Sequence, residues 1–132
     1  MPEKDKLIVV AGVCGSGKST LVKGLQTHGY QAHSVAQEHS CAPAMWQMTG
    51  PECLIYLDCS LETVRLRRRI QWGEARLREQ RYRLRHAREH CGLFIDTENL
   101  SIQEVLDTAL DFLKESELTG GDTGANKKES LN

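Results

Sequence analysis

The chain has 132 residues, 39% of them hydrophobic and 27% charged, with a formal net charge of −1. That supports one domain with a buried core, and the even balance excludes the whole chain as a polyelectrolyte partner of nucleic acid. Five cysteines with no C-x-x-C pair exclude a disulfide framework or a zinc ribbon. With no apolar run near the ~20 residues of a membrane span, the expected setting is the cytoplasm.

Leu7-Ile8-Val9-Val10-Ala11 is an unbroken apolar run, the pattern of a parallel strand covered on both faces. Gly12 to Ser19 then fill every position of G-x-x-x-x-G-K-[ST], and a helix is expected from Lys18 to His28, stopped by Gly29. In that context the loop is a phosphate cradle. Its glycines let consecutive N–H groups curl around an anion, and the helix start adds its positive end. Gly12, Cys14, Gly15, Ser16, Gly17, Lys18, Ser19 and Thr20 are therefore the expected binding residues for a nucleoside triphosphate. Lys18 would reach the β- and γ-phosphates, and Ser19 would take a Mg²⁺ position. Cys14 is expected to contribute its backbone, not thiol chemistry.

A second strand is expected over Tyr30–Val35, followed by a loop to Pro51 holding one helical turn before Gly50-Pro51. Glu38 and His39 would lie at the carboxyl edge of the sheet. There Glu38 would bind Mg²⁺ through water, orient a nucleophile or hold an acceptor hydroxyl; a solvated loop pair is the plainer reading. Trp46 is read as covering the sheet edge, with stacking on a base as the alternative. Cys53–Asp58 is a third strand ending on a carboxylate. Asp58 would hold Mg²⁺ directly or through water, or simply end the strand.

Ser60 is placed to cap a helix from Leu61, with a bend near Gln71-Trp72-Gly73 and a second helix over Glu74–His90. Leu93–Asp96 reads as a fourth strand. Ser101 and Glu104 form a capping box for a last helix, with Ile102, Val105, Leu106, Ala109, Leu110 and Leu113 on its apolar face. The organisation expected is one domain over residues 1–117 and a disordered polar tail over 118–132. Alternating strands and helices predict an α/β fold with three layers, α/β/α, around a small sheet of about four mainly parallel strands. His28, His33, His86 and His90 are read as structural or solvent-facing.

All ten arginines lie between Arg65 and Arg88, and residues 65–89 hold only three acids, Glu74, Glu79 and Glu89. Guanidinium groups stabilise charge on a moving phosphoryl group, and a basic flap hinged at Trp72-Gly73 would exclude water. For most of the ten the plainer reading is a solvated basic helix, and RNA binding along it is a further alternative.

The phosphate loop, Leu54-Ile55-Tyr56-Leu57-Asp58 with Ser60 and its arginine-bearing helix, and Phe94-Ile95-Asp96-Thr97 with the final helix together resemble P-loop kinases of nucleotides and small metabolites. Adenylate, shikimate and gluconate kinases are of this kind, and the resemblance covers roughly residues 6 to 115. It implies a P-loop NTPase fold and Mg²⁺-dependent transfer of the γ-phosphate of ATP, GTP being open as a second nucleotide. Lys18, Glu38, Asp58, Arg65, Arg69 and Arg76 are the implied catalytic candidates. Arg65, Arg68, Arg69 and Arg76 fall in the lid region, and Thr97 to Leu100 fall where such enzymes contact the base. Only about eighteen residues, Ala36 to Cys53, stand where those kinases carry acceptor-binding helices. The acceptor is then a small molecule, or a protein partner completes the site, or the chain hydrolyses or senses the nucleotide.

Overall fold

A computed structural model describes residues 7–42, 44–47, 51–67 and 72–118. In chain order these form β1 (Leu7–Gly12), α1 (Lys18–Thr27), β2 (Gln31–Ser34), β3 (Cys53–Asp58), α2 (Leu61–Arg67), α3 (Glu74–Arg83), α4 (Arg85–His90), β4 (Leu93–Asp96) and α5 (Ile102–Leu118). The strands make one sheet in the order β2-β1-β3-β4. Every pairing is parallel, with Val10 beside both Ser34 and Ile55 and Tyr56 beside Phe94. The chain is thus an α/β protein with a four-stranded parallel sheet and five α-helices among the described residues. None of those helices is long and apolar enough to cross a membrane.

Alternate residues of β1 and β3 feed opposite faces of the sheet, which is why their sequences are continuously apolar. Ile8, Val10, Ile55 and Leu57 pack with Leu21 and Leu25 of α1 and with Ala109, Leu110 and Leu113 of α5. Val9, Ala11, Leu54 and Tyr56 pack on the other face with Val64 of α2, Leu77 of α3, Leu84 between α3 and α4, and Ala87 of α4. Because β1 and β3 pair in parallel, their carboxyl ends open onto the same edge.

Several local expectations hold. The Ser60 hydroxyl accepts from the Thr63 N–H (3.2 Å), and Ser101 and Glu104 exchange both capping bonds (2.8 and 3.0 Å). Others are corrected. The helix expected over Glu74–His90 is divided at Leu84 into α3 and α4, while Leu77, Leu84 and Ala87, spaced i, i+7 and i+10, all enter one core cluster. The loop after β2 holds two 3-10 turns, Gln37–His39 and Met45–Gln47. Ile102 was expected on the apolar face of α5 and is instead 70% exposed, because the first turn of the helix overhangs the sheet edge beyond the core that Val105 begins. The polar stretch 119–132, with Arg68, Arg69 and Gly50, lies outside the described residues.

Candidate phosphate-binding site

Gly12 ends β1 in register with Leu57. A Cβ there would meet the Leu57 carbonyl oxygen at 2.4 Å and Ser16 Oγ at 2.7 Å, so the tight exit from the strand requires glycine. The chain then turns through Gly17, whose φ of 104° no branched residue adopts comfortably, directly into α1. Ser19 and Thr20 stand exposed on the first turn of that helix.

Lys18 folds back over the loop. Its ammonium donates to Gly12 O (2.9 Å), Val13 O (3.3 Å) and Glu38 Oε2 (2.7 Å). An ammonium has three N–H donors, so all of them are engaged. The Glu38 side chain is 5% exposed, and its second oxygen, Oε1, is buried with no hydrogen-bond partner among the described residues; the same holds for Ser16 Oγ. His39 Nε2 lies 3.7 Å from Glu38 Oε2. On this same side Gln80 of α3, fully buried, accepts from the Cys14 N–H through Oε1 (3.0 Å). Arg83 reaches Glu38 O (3.4 Å), and its own carbonyl accepts from Gln37 Nε2 (3.2 Å), which ties the Gln37–His39 turn to α3.

The other side of the loop differs. Arg67, at the end of α2, donates to Gly15 O (3.1 Å), Thr97 Oγ1 (3.0 Å) and Thr97 O (2.7 Å). The Thr97 hydroxyl in turn donates to Ser16 O (3.0 Å). Between the loop, the start of α1, Arg67, Thr97 and the Leu100–Val105 segment lies a cavity of about 500 Å³. Leu100, Ile102 and Val105 give it an apolar wall opposite Gly15 to Leu21.

Asp58 lies at the end of β3, beneath α3. Its Oδ1 accepts from the Cys59 N–H (2.8 Å) and Arg81 Nε (3.3 Å), and Arg81 also donates to Cys59 O (2.9 Å). Burial pushes its carboxyl above the ordinary range, opposed by the Arg81 charge and the Cys59 N–H. Burial likewise pushes the Cys59 thiol up to about 11, against the pull of Arg67 and Arg81, so Cys59 is a poor nucleophile at neutral pH. Tyr56 is raised as well, first by burial and then by Asp58.

The structure therefore brings Gly12, Cys14, Gly15, Ser16, Gly17, Lys18 and Glu38 together, with Ser19 and Thr20 at the cavity rim. Asp58 stands on the next strand with its carboxylate engaged by Arg81. Arg65 is exposed on α2 and directs its guanidinium toward Gly73, Arg76 is exposed on α3, and Arg69 lies outside the described residues. Among the described residues no three His, Cys, Asp or Glu side chains cluster as a metal site. Trp46 is buried, held by Gln37 Oε1 at its backbone N–H (2.9 Å) and by His86 Nδ1 at its indole N–H (3.0 Å). The His86 and His90 rings stack 4.1 Å apart, so these histidines support the Trp46 loop.

Sequence reasoning missed Arg67 and Gln80. A signal for Arg67 was present: Val64, the apolar residue three positions earlier, faces inward and touches the loop at Gly15, and i,i+3 neighbours share a helix face. Gln80 had no such signal, because its partner lies 66 residues away. Neither a protein-family model nor a curated protein matches this chain.

Proposed function

We propose that this chain has the three-layer P-loop NTPase fold and binds a nucleoside triphosphate, ATP first and GTP second, whose γ-phosphate it transfers. The observation that carries the reading is the loop itself. A glycine-framed turn leads from a buried strand into a helix start, with a lysine ammonium folded over it and a cavity of about 500 Å³ beside it. The phosphates would lie along Gly15 to Thr20, and the base against Leu100 and Ile102 with Arg67 alongside. Mg²⁺ fits this site on one side: Ser19 is open to the cavity, whereas Asp58 already carries Arg81. Ser19 would hold the ion, with Asp58 reached through water, and the ion would supply neutralisation of phosphate charge.

In the first reading the acceptor is a small molecule whose hydroxyl Glu38 would hold, and the protein is a compact kinase. The second reading is a nucleotide-switched ATPase that works through a protein partner. One observation favours the second: the Lys18 ammonium is already held by Glu38 and the Cys14 N–H by Gln80, both nearly fully buried, and a Gln37–Arg83 bond ties the Glu38 turn to α3. ADP release measured with and without a mixed pool of nucleosides, sugars and hydroxy acids separates the two. Replacing Lys18 by Ala is expected to weaken nucleotide binding about 100-fold by titration with a fluorescent ATP analogue. Unchanged affinity would refute the phosphate-loop assignment.

A further inference from the structure

Trp46 is fixed at two points of different chemistry. Its backbone N–H donates to Gln37 Oε1 (2.9 Å), a carboxamide oxygen that does not titrate. Its indole N–H donates to His86 Nδ1 (3.0 Å). An indole nitrogen only donates, so His86 Nδ1 must offer a lone pair, and the neutral ring carries its proton on Nε2. A proton arriving at Nδ1 sets two donors against each other. It leaves the indole N–H of a residue that is 6% exposed without its acceptor. The ring stacked on His86 behaves differently. His90 Nδ1 lies 2.8 Å from the His86 carbonyl, which only accepts, so that nitrogen holds a proton and Nε2 takes the next one. Charging His90 keeps its bond, whereas charging His86 removes one.

What hangs on the Trp46–His86 bond is the Glu38 turn. Gln37 also donates to Ala42 O (2.7 Å) and Arg83 O (3.2 Å), and Glu38, the next residue, accepts from the Lys18 ammonium (2.7 Å). Other titratable or charged groups stand on the elements packed here. His39, on the same turn, has Nε2 3.7 Å from Glu38 Oε2, so a proton on it tightens that turn. Arg83 of α3 is tied to Glu79 (3.5 Å) and Glu38 O (3.4 Å). On α4, Arg85 lies over Tyr82, and Glu89 is exposed. Among the described residues, protonation of His86 is the event that takes an acceptor from Trp46.

We propose that the Trp46–His86 bond is a proton-sensitive latch, closed while His86 is neutral and released when it is charged, and coupled through Gln37 to the hold of Glu38 on Lys18. A buried indole N–H left unpaired shifts the local opening equilibrium by about tenfold or more. The latch is a property of the free protein. Its consequence for the loop rests on the phosphate-binding reading above: release of Glu38 frees the Lys18 ammonium, so acid favours an anion there.

The test is acrylamide quenching of Trp46 fluorescence in the full chain carrying Trp72→Phe, followed from about pH 7.5 to about pH 5.5, where imidazoles titrate. Quenching is expected to rise about threefold or more on acidification. His86→Gln supplies a carboxamide acceptor that does not titrate and should hold quenching at its neutral value throughout. His86→Phe should quench like the acid form at every pH, and His39→Gln and His90→Gln should keep the step. Quenching that ignores pH, or a rise that survives in His86→Gln, would overturn the inference; acid unfolding falls under the second, since it exposes Trp46 in both. Loss of the step in His39→Gln would overturn it too, placing the response on the Glu38 turn. Where His86→Phe fails to fold, the parent and His86→Gln decide. The fluorescent ATP analogue should bind more tightly at the acid end in the parent than in His86→Gln, and equal affinities would overturn the coupling to Lys18. An analogue that binds at neither pH would refute the phosphate-loop reading and leave the latch to the quenching result.

Discussion

On one side of the glycine-framed loop, Arg67 and Thr97 bond to the carbonyls of Gly15 and Ser16 and frame a cavity of about 500 Å³. On the other, Glu38 and Gln80 bond to the Lys18 ammonium and the Cys14 N–H and are themselves buried. Arg67 and Thr97 thus use the loop's acceptors, whereas Glu38 and Gln80 use its donors. An anion arriving in the cavity meets Arg67, already bonded to Gly15 and Thr97, and Lys18, already bonded to Glu38. An anion reaching the far side must exchange with a carboxylate and a carboxamide already in place.

The largest effect is expected at Asp58, on the strand beside the loop. Replacing Arg81 by Met leaves Asp58 buried beside the Cys59 N–H alone. A loss of about 2 kcal/mol is expected at neutral pH, reduced from the cost of breaking a fully buried pair because the Arg81 side chain is 37% exposed. The sign with pH follows from the raised titration of Asp58. A carboxyl whose folded-state pKa lies above its unfolded value takes up its proton first in the native state, so it favours folding more as pH falls through that pKa. The deficit of the variant should therefore shrink as urea unfolding is repeated from pH 7 toward the ordinary carboxylate range. A deficit that stays constant would mean that Asp58 and Arg81 are not coupled.

The open side gives the next effect. Thr97→Val preserves shape but removes the hydroxyl that accepts from Arg67 and donates to Ser16 O, and should cost about 1 to 2 kcal/mol in urea unfolding. No change would show that Arg67 and the loop hold each other without Thr97. The smallest effect is expected at the cavity wall. Ile102 is 70% exposed, so Ile102→Gln should alter stability by less than about 0.5 kcal/mol while lowering affinity for the ATP analogue about two- to fivefold. Equal affinity would place the base elsewhere.

What the sequence discloses of this architecture is mostly local. Leu7–Gly12 and Cys53–Asp58 are readable as doubly covered strands because their apolar runs need no knowledge of their neighbours, and the Ser101/Glu104 box marks a helix start within four residues. The break at Leu84 is invisible locally, since Glu74 to His90 contains no glycine or proline and Leu77, Leu84 and Ala87 keep helical spacing across it. The arginine cluster was legible as a signal but not by member. Arg65 and Arg67 are two residues apart on one short helix, and only the inward phase of Val64 puts Arg67 on the loop. The other arginines are largely engaged with the protein itself: Arg81 with Asp58, Arg83 with Glu79 and Glu38, Arg85 over Tyr82 and Arg88 over Phe94. Ile102 was misplaced for the opposite reason, because its 3.6-residue phase is right and only its position past the sheet edge exposes it.

The distances along the chain between the loop and its supports bear on how the protein is made. Gly15 is separated from Arg67 by 52 residues, Cys14 from Gln80 by 66 and Ser16 from Thr97 by 81. A chain emerging from the ribosome exposes the glycine-rich turn long before any of these partners exists, and β1 has no hairpin neighbour to pair with meanwhile. Each support closes a large loop, which slows assembly, and the seat is complete only when Thr97 has been added. Any ligand that needs the finished seat would therefore stabilise only the completed molecule by mass action, and the early turns of the nascent chain must be kept from misassembly by other means.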